Sequence, residues 1–238
     1  MITPLQLIVL NVKPYKETSL LVNTYTNVRG RTDFVVNGVR TARNRAAAAV
    51  FHPLSILDTR AYLSEKRTLH RLKEYQKALP LNGLCTNVRK STIGLFMAEL
   101  VYKTVREYEE NSALYQFLKE SIVHLDKAEE ELPDVHLYFT VRLCKYLGYA
   151  PEQNDSESPP DSFNIQKGRF TRGPGAFGKE DSLLLHRILS VPPHQYEPLP
   201  CSGAERYHFL MSMMEYYGYH MGKIPQIQSL TILHQVFL

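Results

Sequence analysis

The sequence predicts an α+β chain in two parts: a small closed or nearly closed β-barrel over residues 1–80, then an α-helical domain over residues 81–238. Three observations predict it. Over the first 80 residues, short runs of Val, Ile, Leu, Thr and Tyr alternate with turn-forming residues, as in strands. From about residue 83 the apolar positions change to 3-and-4 spacing, the period of a helix with one buried face. Charge divides along nearly the same line. Residues 1–90 hold 15 Lys and Arg against 5 Asp and Glu, whereas residues 91–238 hold 13 against 19.

The strands come in order. "LQLIVLNV" is an apolar run. "SLLVNTYT" follows the turn-like "KPYKE", and "TDFVVNG" follows "NVRG". "PLSILDTRAYL" and "KRTLHRLKEY" make five, and five short strands in about 75 residues suit a small barrel. The alanine run Ala46–Ala49 reads as a short helical turn between the third and fourth.

The helices come next. In "RKSTIGLFMAELVYKTVREYEE" the positions Ile93, Met97, Leu100, Val101, Thr104, Val105 and Tyr108 define one face. "SALYQFLKESIVHLD" repeats the pattern with Leu114, Phe117, Leu118, Ile122 and Leu125. The acid run Glu129–Glu131 reads as a solvated helix end. Pro133 and Asp134 mark the start of a third helix, and Gly148 with Pro151 mark its end. Residues 152–178 are rich in Ser, Pro, Gly and Asp and read as a long loop with little core of its own. "EDSLLLHRILS" is helical up to Pro192. A last long helix opens at Ser202 and Glu205, spaced as a capping box. Its Met-rich "FLMSMMEYY" reads as core.

Composition narrows the function. No run of about 18 apolar residues is present, so no membrane-spanning helix is expected. The N-terminus lacks a basic region ahead of its apolar run, and the expected location is the cytoplasm. Three scattered cysteines, Cys85, Cys144 and Cys201, form neither a disulfide framework nor a C-x-x-C zinc pair. No phosphate-binding glycine motif and no G-x-S-x-G occurs, and the nine histidines are scattered, so no catalytic residue is assigned.

The most informative stretch is residues 25–45, "YTNVRGRTDFVVNGVRTARNR". It holds Arg29, Arg31, Arg40, Arg43 and Arg45 against one acid, Asp33. Arginine offers a planar fork that pairs with phosphate oxygens. Tyr25 is a candidate base-stacking platform, whereas Phe34, beside Val35 and Val36, reads as core. The candidate nucleic-acid site is therefore Tyr25, Arg29, Arg31, Arg40, Arg43 and Arg45.

Taken together, these residues resemble the N-terminal domain of the RecO family of bacterial DNA repair and recombination mediators. The likeness lies in "VLNVKPYKETSLLVNTYT…GR…GVR", notably Pro14, Glu17, Thr18, Ser19, Gly30, Arg31, Gly38 and Arg40. It continues through "HPLSILD", "LGY" at 147–149 and "YHFLMSMMEYYGYHMGKIPQIQSLTIL", and is weakest over 152–200. The resemblance implies an OB-fold followed by a helical domain, and a protein that binds single- and double-stranded DNA and anneals complementary strands. It implies action with RecR, and with RecF in some pathways, to load RecA onto DNA coated by single-stranded-DNA-binding protein. The helical domain would dock protein partners, with Arg142 and Lys145 as candidate contacts to the tail of that binding protein. Family members often carry a four-cysteine zinc module. The equivalent region here, 152–178, has no cysteine, so no zinc or other cofactor is expected and Phe163, Phe170 and Phe177 are the candidates to pack it.

Two other readings are open to the sequence. One is an RNA-binding OB protein of translation or RNA processing. The other is a hydrolase assembled from scattered His and Asp, which would require a histidine, an acid and a nucleophile within hydrogen-bond reach.

Overall fold

The computed structural model describes residues 2–128, 134–153, 162–173, 175–222 and 226–237. Glu129–Glu131 and Pro133 lie outside these residues. The chain divides into two compact units, residues 1–127 and 128–238. The first unit thus extends well past residue 80, because three helices beyond the barrel belong to it.

The first unit begins with β1 (Ile2–Tyr15), β2 (Ser19–Thr26) and β3 (Gly30–Val36). A single 3-10 turn and α1 (Arg45–Ala48) follow, then β4 (Ile56–Tyr62) and β5 (Leu69–Lys77). The strands close in the order β1-β2-β3-β5-β4, with β3 and β5 parallel and all other pairs antiparallel. A closed five-strand barrel with a helix between its third and fourth strands is the OB arrangement. β1 is long enough to serve both neighbours: Ile2–Ile8 pair with β4 and Leu7–Tyr15 with β2, across a register shift between Val9 and Asn11. Such a bulge bends a strand and lets a small sheet curl shut.

Alternation fills the barrel. Leu5, Leu7, Val9, Leu20, Val22, Phe34, Val36 and Leu57 point inward and are buried. α1 sits against that core through Ala47 and Ala48, and Phe51 just after it packs on Tyr75 with ring centres 4.6 Å apart. Phe34 is core, as its sequence neighbours indicate.

Three helices complete the unit: α2 (Asn82–Thr86), α3 (Val88–Thr104) and α4 (Ser112–Lys127). Their apolar faces are buried through Ile93, Met97, Leu100, Val101, Leu114, Leu118, Ile122 and Leu125. Polar contacts tie α4 to the barrel. The Tyr115 hydroxyl and the Lys119 ammonium both donate to Gln6 Oε1, at 2.8 and 2.9 Å. α3 is shorter than its sequence period predicts. It stops at Thr104, and Tyr108 is 68% exposed. The segment after it instead meets β3, where the Arg31 amide donates to the Glu107 carbonyl at 3.0 Å. Gly30 makes that approach possible: its φ is +60°, and a Cβ there would fall 2.8 Å from the Glu107 oxygen.

The second unit holds α5 (Val135–Tyr146), a two-stranded hairpin of β6 (Ser162–Asn164) and β7 (Arg169–Thr171), α6 (Lys179–Ser190), α7 (Gly203–Met221) and α8 (Ser229–Phe237). α7 opens with the expected capping box: the Glu205 amide donates to Ser202 Oγ, and the Ser202 amide donates to the Glu205 carboxylate. Phe209, Leu210, Met213, Tyr216 and Tyr217 line its buried face, whereas Met211 is exposed. Asp134 precedes α5 but makes no capping bond. Its buried carboxylate accepts instead from Arg206 Nε at 2.6 Å and from the Leu199 amide at 2.8 Å.

In the described part of the region read as a loop with little core of its own, the phenylalanines named to pack it do come together. Phe163 and Phe177 are fully buried, and Phe163 meets the rings of Phe170, Phe177 and Tyr216 at 5.2, 5.2 and 5.5 Å. Aromatic packing on α7 therefore organises the hairpin.

Candidate nucleic-acid interface

Two loops meet at one end of the barrel. The end of β1 and the turn after it carry Lys13, Tyr15, Lys16 and Glu17, and Lys16 adopts a left-handed φ of 52°. The loop after β3 carries Gly38, also left-handed at φ 72°, then Arg40 and Arg43. The two are laced together. The Arg40 amide donates to the Thr18 carbonyl at 2.9 Å, and its guanidinium donates through Nη1 to the Lys16 and Glu17 carbonyls at 3.1 and 3.3 Å. Buried Val39 anchors the loop in the core, and Asn44 and Thr41 donate to the Gly38 carbonyl.

This lacing leaves charge outward. Lys13, Lys16, Arg40 and Arg43 are exposed. Neither Arg40 nor Arg43 is ion-paired among the described residues. Arg45 opens α1 beside them. Arg29 lies at the opposite end of β3, half-buried, where its charge helps burial hold the His70 imidazole below its ordinary pKa.

Two members of the predicted set do not belong to the surface. Tyr25 is fully buried, and burial, with the nearby Glu107 charge, drives its hydroxyl far above the usual tyrosine pKa. It offers no face to a base. Arg31 points from β3 to the end of α3, where its Nη1 donates to the carbonyls of Tyr102 and Val105. A cation at a helix C-terminus satisfies unpaired carbonyls and complements the helix dipole. That role occupies the guanidinium. The signal that separates Arg31 from its neighbours is strand alternation: it stands two residues before Asp33 on the outward side of β3, facing what the rest of the unit packs there.

Nor is the outer face of β2 and β3 a basic platform. Asn11 donates to Asn23 at 3.0 Å and Asn23 to Asp33 at 2.8 Å, a polar row across three strands that ends in a carboxylate. Cations collect instead at the ends and along β4 and β5. There Tyr62 is 48% exposed, and Lys66, Arg67, Arg71, Lys73 and Lys77 are exposed as well. Tyr62 stands opposite Arg71 in the ladder. Among the described residues, Glu74 is the acid ion-paired in this strip, 3.8 Å from Arg60 and 3.6 Å from Lys73, in solvent-exposed pairs of small energetic weight. The individual residues were legible only as part of the excess positive charge of residues 1–90. Because β5 begins level with Asp33, the β4–β5 loop lies toward the Gly30 end of β3, and the Arg40 loop lies at the Val36 end. Seven strand residues separate the two ends, roughly 20 Å.

In the second unit, Arg142 is committed within its own fold. Its guanidinium lies between the Tyr138 and Tyr196 rings, at 4.8 and 4.7 Å, and donates to the Pro192 and Gln195 carbonyls. Lys145 is exposed.

Among the described residues of this unit, one histidine–acid–serine group exists, and its order is wrong for catalysis. Ser212 Oγ and His208 Nδ1 contact the same oxygen of buried Asp181, at 2.6 and 2.9 Å. A nucleophile needs the imidazole between itself and the acid, so that the ring can take its proton. Here the carboxylate occupies that middle place, and Ser212 is buried. Among the described residues, no group of three or more His, Cys, Asp or Glu could hold a metal ion, and no helix is long and apolar enough to cross a membrane.

Comparison with known proteins separates the barrel from the helices after it. Residues 1–78 match the family described as recombination protein O N terminal, and residues 85–160 match recombination protein O C terminal. The chain is 31% identical over 237 residues to DNA repair protein RecO of Bacteroides fragilis, covering 97% of each chain. It is 30% identical to DNA repair protein RecO of Phocaeicola vulgatus and 28% identical to that of Flavobacterium psychrophilum, again over 97% of each.

Proposed function

Because the chain belongs to the RecO family, whose role is DNA repair and recombination, we propose that it is a mediator without bond-breaking chemistry that grips single- and double-stranded DNA by charge and anneals complementary strands. The observation that carries this reading is the pair of exposed, largely unneutralised cation clusters on one barrel. Lys13, Lys16, Arg40 and Arg43 form the first, with Arg45 following them in sequence; Lys66, Arg67, Arg71, Lys73 and Lys77 form the second, with Tyr62 to stack on a base. Two basic tracks can hold two strands whose phosphates would otherwise repel each other, and lowering that repulsion favours pairing.

In this reading the protein acts with RecR, and with RecF where that pathway operates, to load RecA onto DNA coated by single-stranded-DNA-binding protein. The helical parts of the chain would receive the protein partners. Family membership supports these assignments and the cytoplasmic setting that goes with them; the fold itself supplies only the surfaces.

The decisive experiment is a strand-annealing assay with the purified protein, with and without single-stranded-DNA-binding protein. Acceleration of annealing in both conditions is the expected result. Preference for matched RNA over DNA in a competition assay would favour the RNA-binding alternative instead.

A further inference from the structure

Cys85 on α2 faces His52, which lies in the connection between α1 and β4. Their Sγ and Nε2 atoms are 3.8 Å apart. The other ring nitrogen of His52, Nδ1, lies 3.2 Å from the Pro53 carbonyl. A carbonyl oxygen only accepts, so in the neutral ring Nδ1 carries the hydrogen and Nε2 presents its lone pair to the thiol. This is the arrangement in which an imidazole can take a thiol proton.

Two further features surround the pair. Cys85 and His52 line a recess of about 10 Å³ together with Ser55, Leu81 and Lys77, room for one water-sized group. Ser55 is 2% exposed, and its hydroxyl has no hydrogen-bond partner among the described residues. Its backbone is fixed, with the amide donating to the His52 carbonyl at 3.0 Å and the carbonyl accepting from the Val9 amide at 2.9 Å. A buried hydroxyl without a partner is costly and points to an occupant that is itself polar.

We propose that Cys85 is a peroxide-reactive modification site, with His52 as its proton acceptor and Ser55 as the donor to the oxygen that sulfur gains. The thiol proton passes to His52 Nε2. The thiolate attacks one oxygen of hydrogen peroxide; an S–O bond forms and the O–O bond breaks. The departing oxygen leaves as water with the proton returned by His52. Sulfur loses two electrons and the peroxide gains them, leaving a sulfenic acid. The other two cysteines are set against this chemistry. Burial pushes the Cys144 thiol up to about 12 and the Cys201 thiol up to about 11.

The test treats the full-length chain with a few equivalents of hydrogen peroxide, traps sulfenic acid with dimedone and maps the adduct by peptide mass spectrometry. The adduct is expected on Cys85 at least tenfold faster than on Cys144 or Cys201. Cys85 in the urea-unfolded chain is expected to lose roughly 100-fold in rate, and His52→Asn to lose a similar factor in the folded chain, the low end of general-base assistance. Equal Cys85 rates in the folded and unfolded chain would overturn the proposal even if the variant failed to fold. So would an unchanged rate in a folded His52→Asn protein.

Discussion

The guanidinium carbon of Arg31 lies 4.7 Å from the centre of the Tyr102 ring, and the same side chain donates to the Tyr102 and Val105 carbonyls. An arginine that sequence context assigns to DNA is thereby a fastener between a barrel strand and the end of a helix.

Replacing Arg31 by Ala is expected to destabilise the protein by about 2–4 kcal/mol, because it strips charged donors from buried carbonyls. Lysine would restore little, lacking the planar fork. Urea denaturation measures the loss. DNA affinity of the folded fraction should be unchanged, and a fall in affinity at unchanged stability would return Arg31 to the binding surface.

Charge reversal at Arg40, Arg43 and Arg45 is expected to abolish binding of single-stranded DNA while circular dichroism reports an intact fold. Arg43→Glu alone is the cleaner probe, since Arg40 also ties two loops together. If about 4 phosphates are contacted, raising salt from 50 to 200 mM should weaken single-strand binding roughly 50-fold. Fluorescence anisotropy reads both effects, and a flat salt response would contradict the electrostatic account.

His136 sets a pH limit on the second unit. Full burial, aided by the Arg206 charge, pulls its imidazole down to about 3. An unfolded histidine takes up its proton near pH 6.5, and the folded one does so only near pH 3. The stability of the neutral buried form is therefore complete above pH 6.5. It is lost as pH falls from there toward 3, at up to about 1.4 kcal/mol per pH unit. Urea titrations at stepped pH should show this slope, and His136→Asn should flatten it.

Phe163→Ala is expected to cost about 3–5 kcal/mol by opening a cavity among Phe170, Phe177 and Tyr216. Hydrogen exchange over residues 162–171 should rise in the variant. Unchanged protection there would mean that the hairpin does not depend on this ring.

Much of this architecture is readable from the chain because local signals agree with global ones. The five strands, α1 and the capping box of α7 appear where alternation, alanine content and Ser-x-x-Glu spacing place them. What could not be read depends on contacts distant in sequence. α3 ends early because residues past Thr104 meet β3. Asp134 leaves its capping role for Arg206, 72 residues away. The phenylalanines that pack the hairpin at 162–171 were legible, but the strands themselves were not, because they are short and polar and hold through the contact of Phe163 with Tyr216 of α7. The candidate arginines separate for the same reason. Composition marks a basic stretch, but which guanidinium faces water depends on the strand face and on what covers it.

The closed circuit of strands in the first unit has a consequence for recognition. Closure leaves only short stretches without a partner strand, such as Gly30–Thr32 of β3 on its β5 side, and no full-length rim for an incoming peptide to extend as a sixth strand. Docking on this ring therefore falls mainly to side chains and loops, so evolution can retune its partners one residue at a time without disturbing the scaffold.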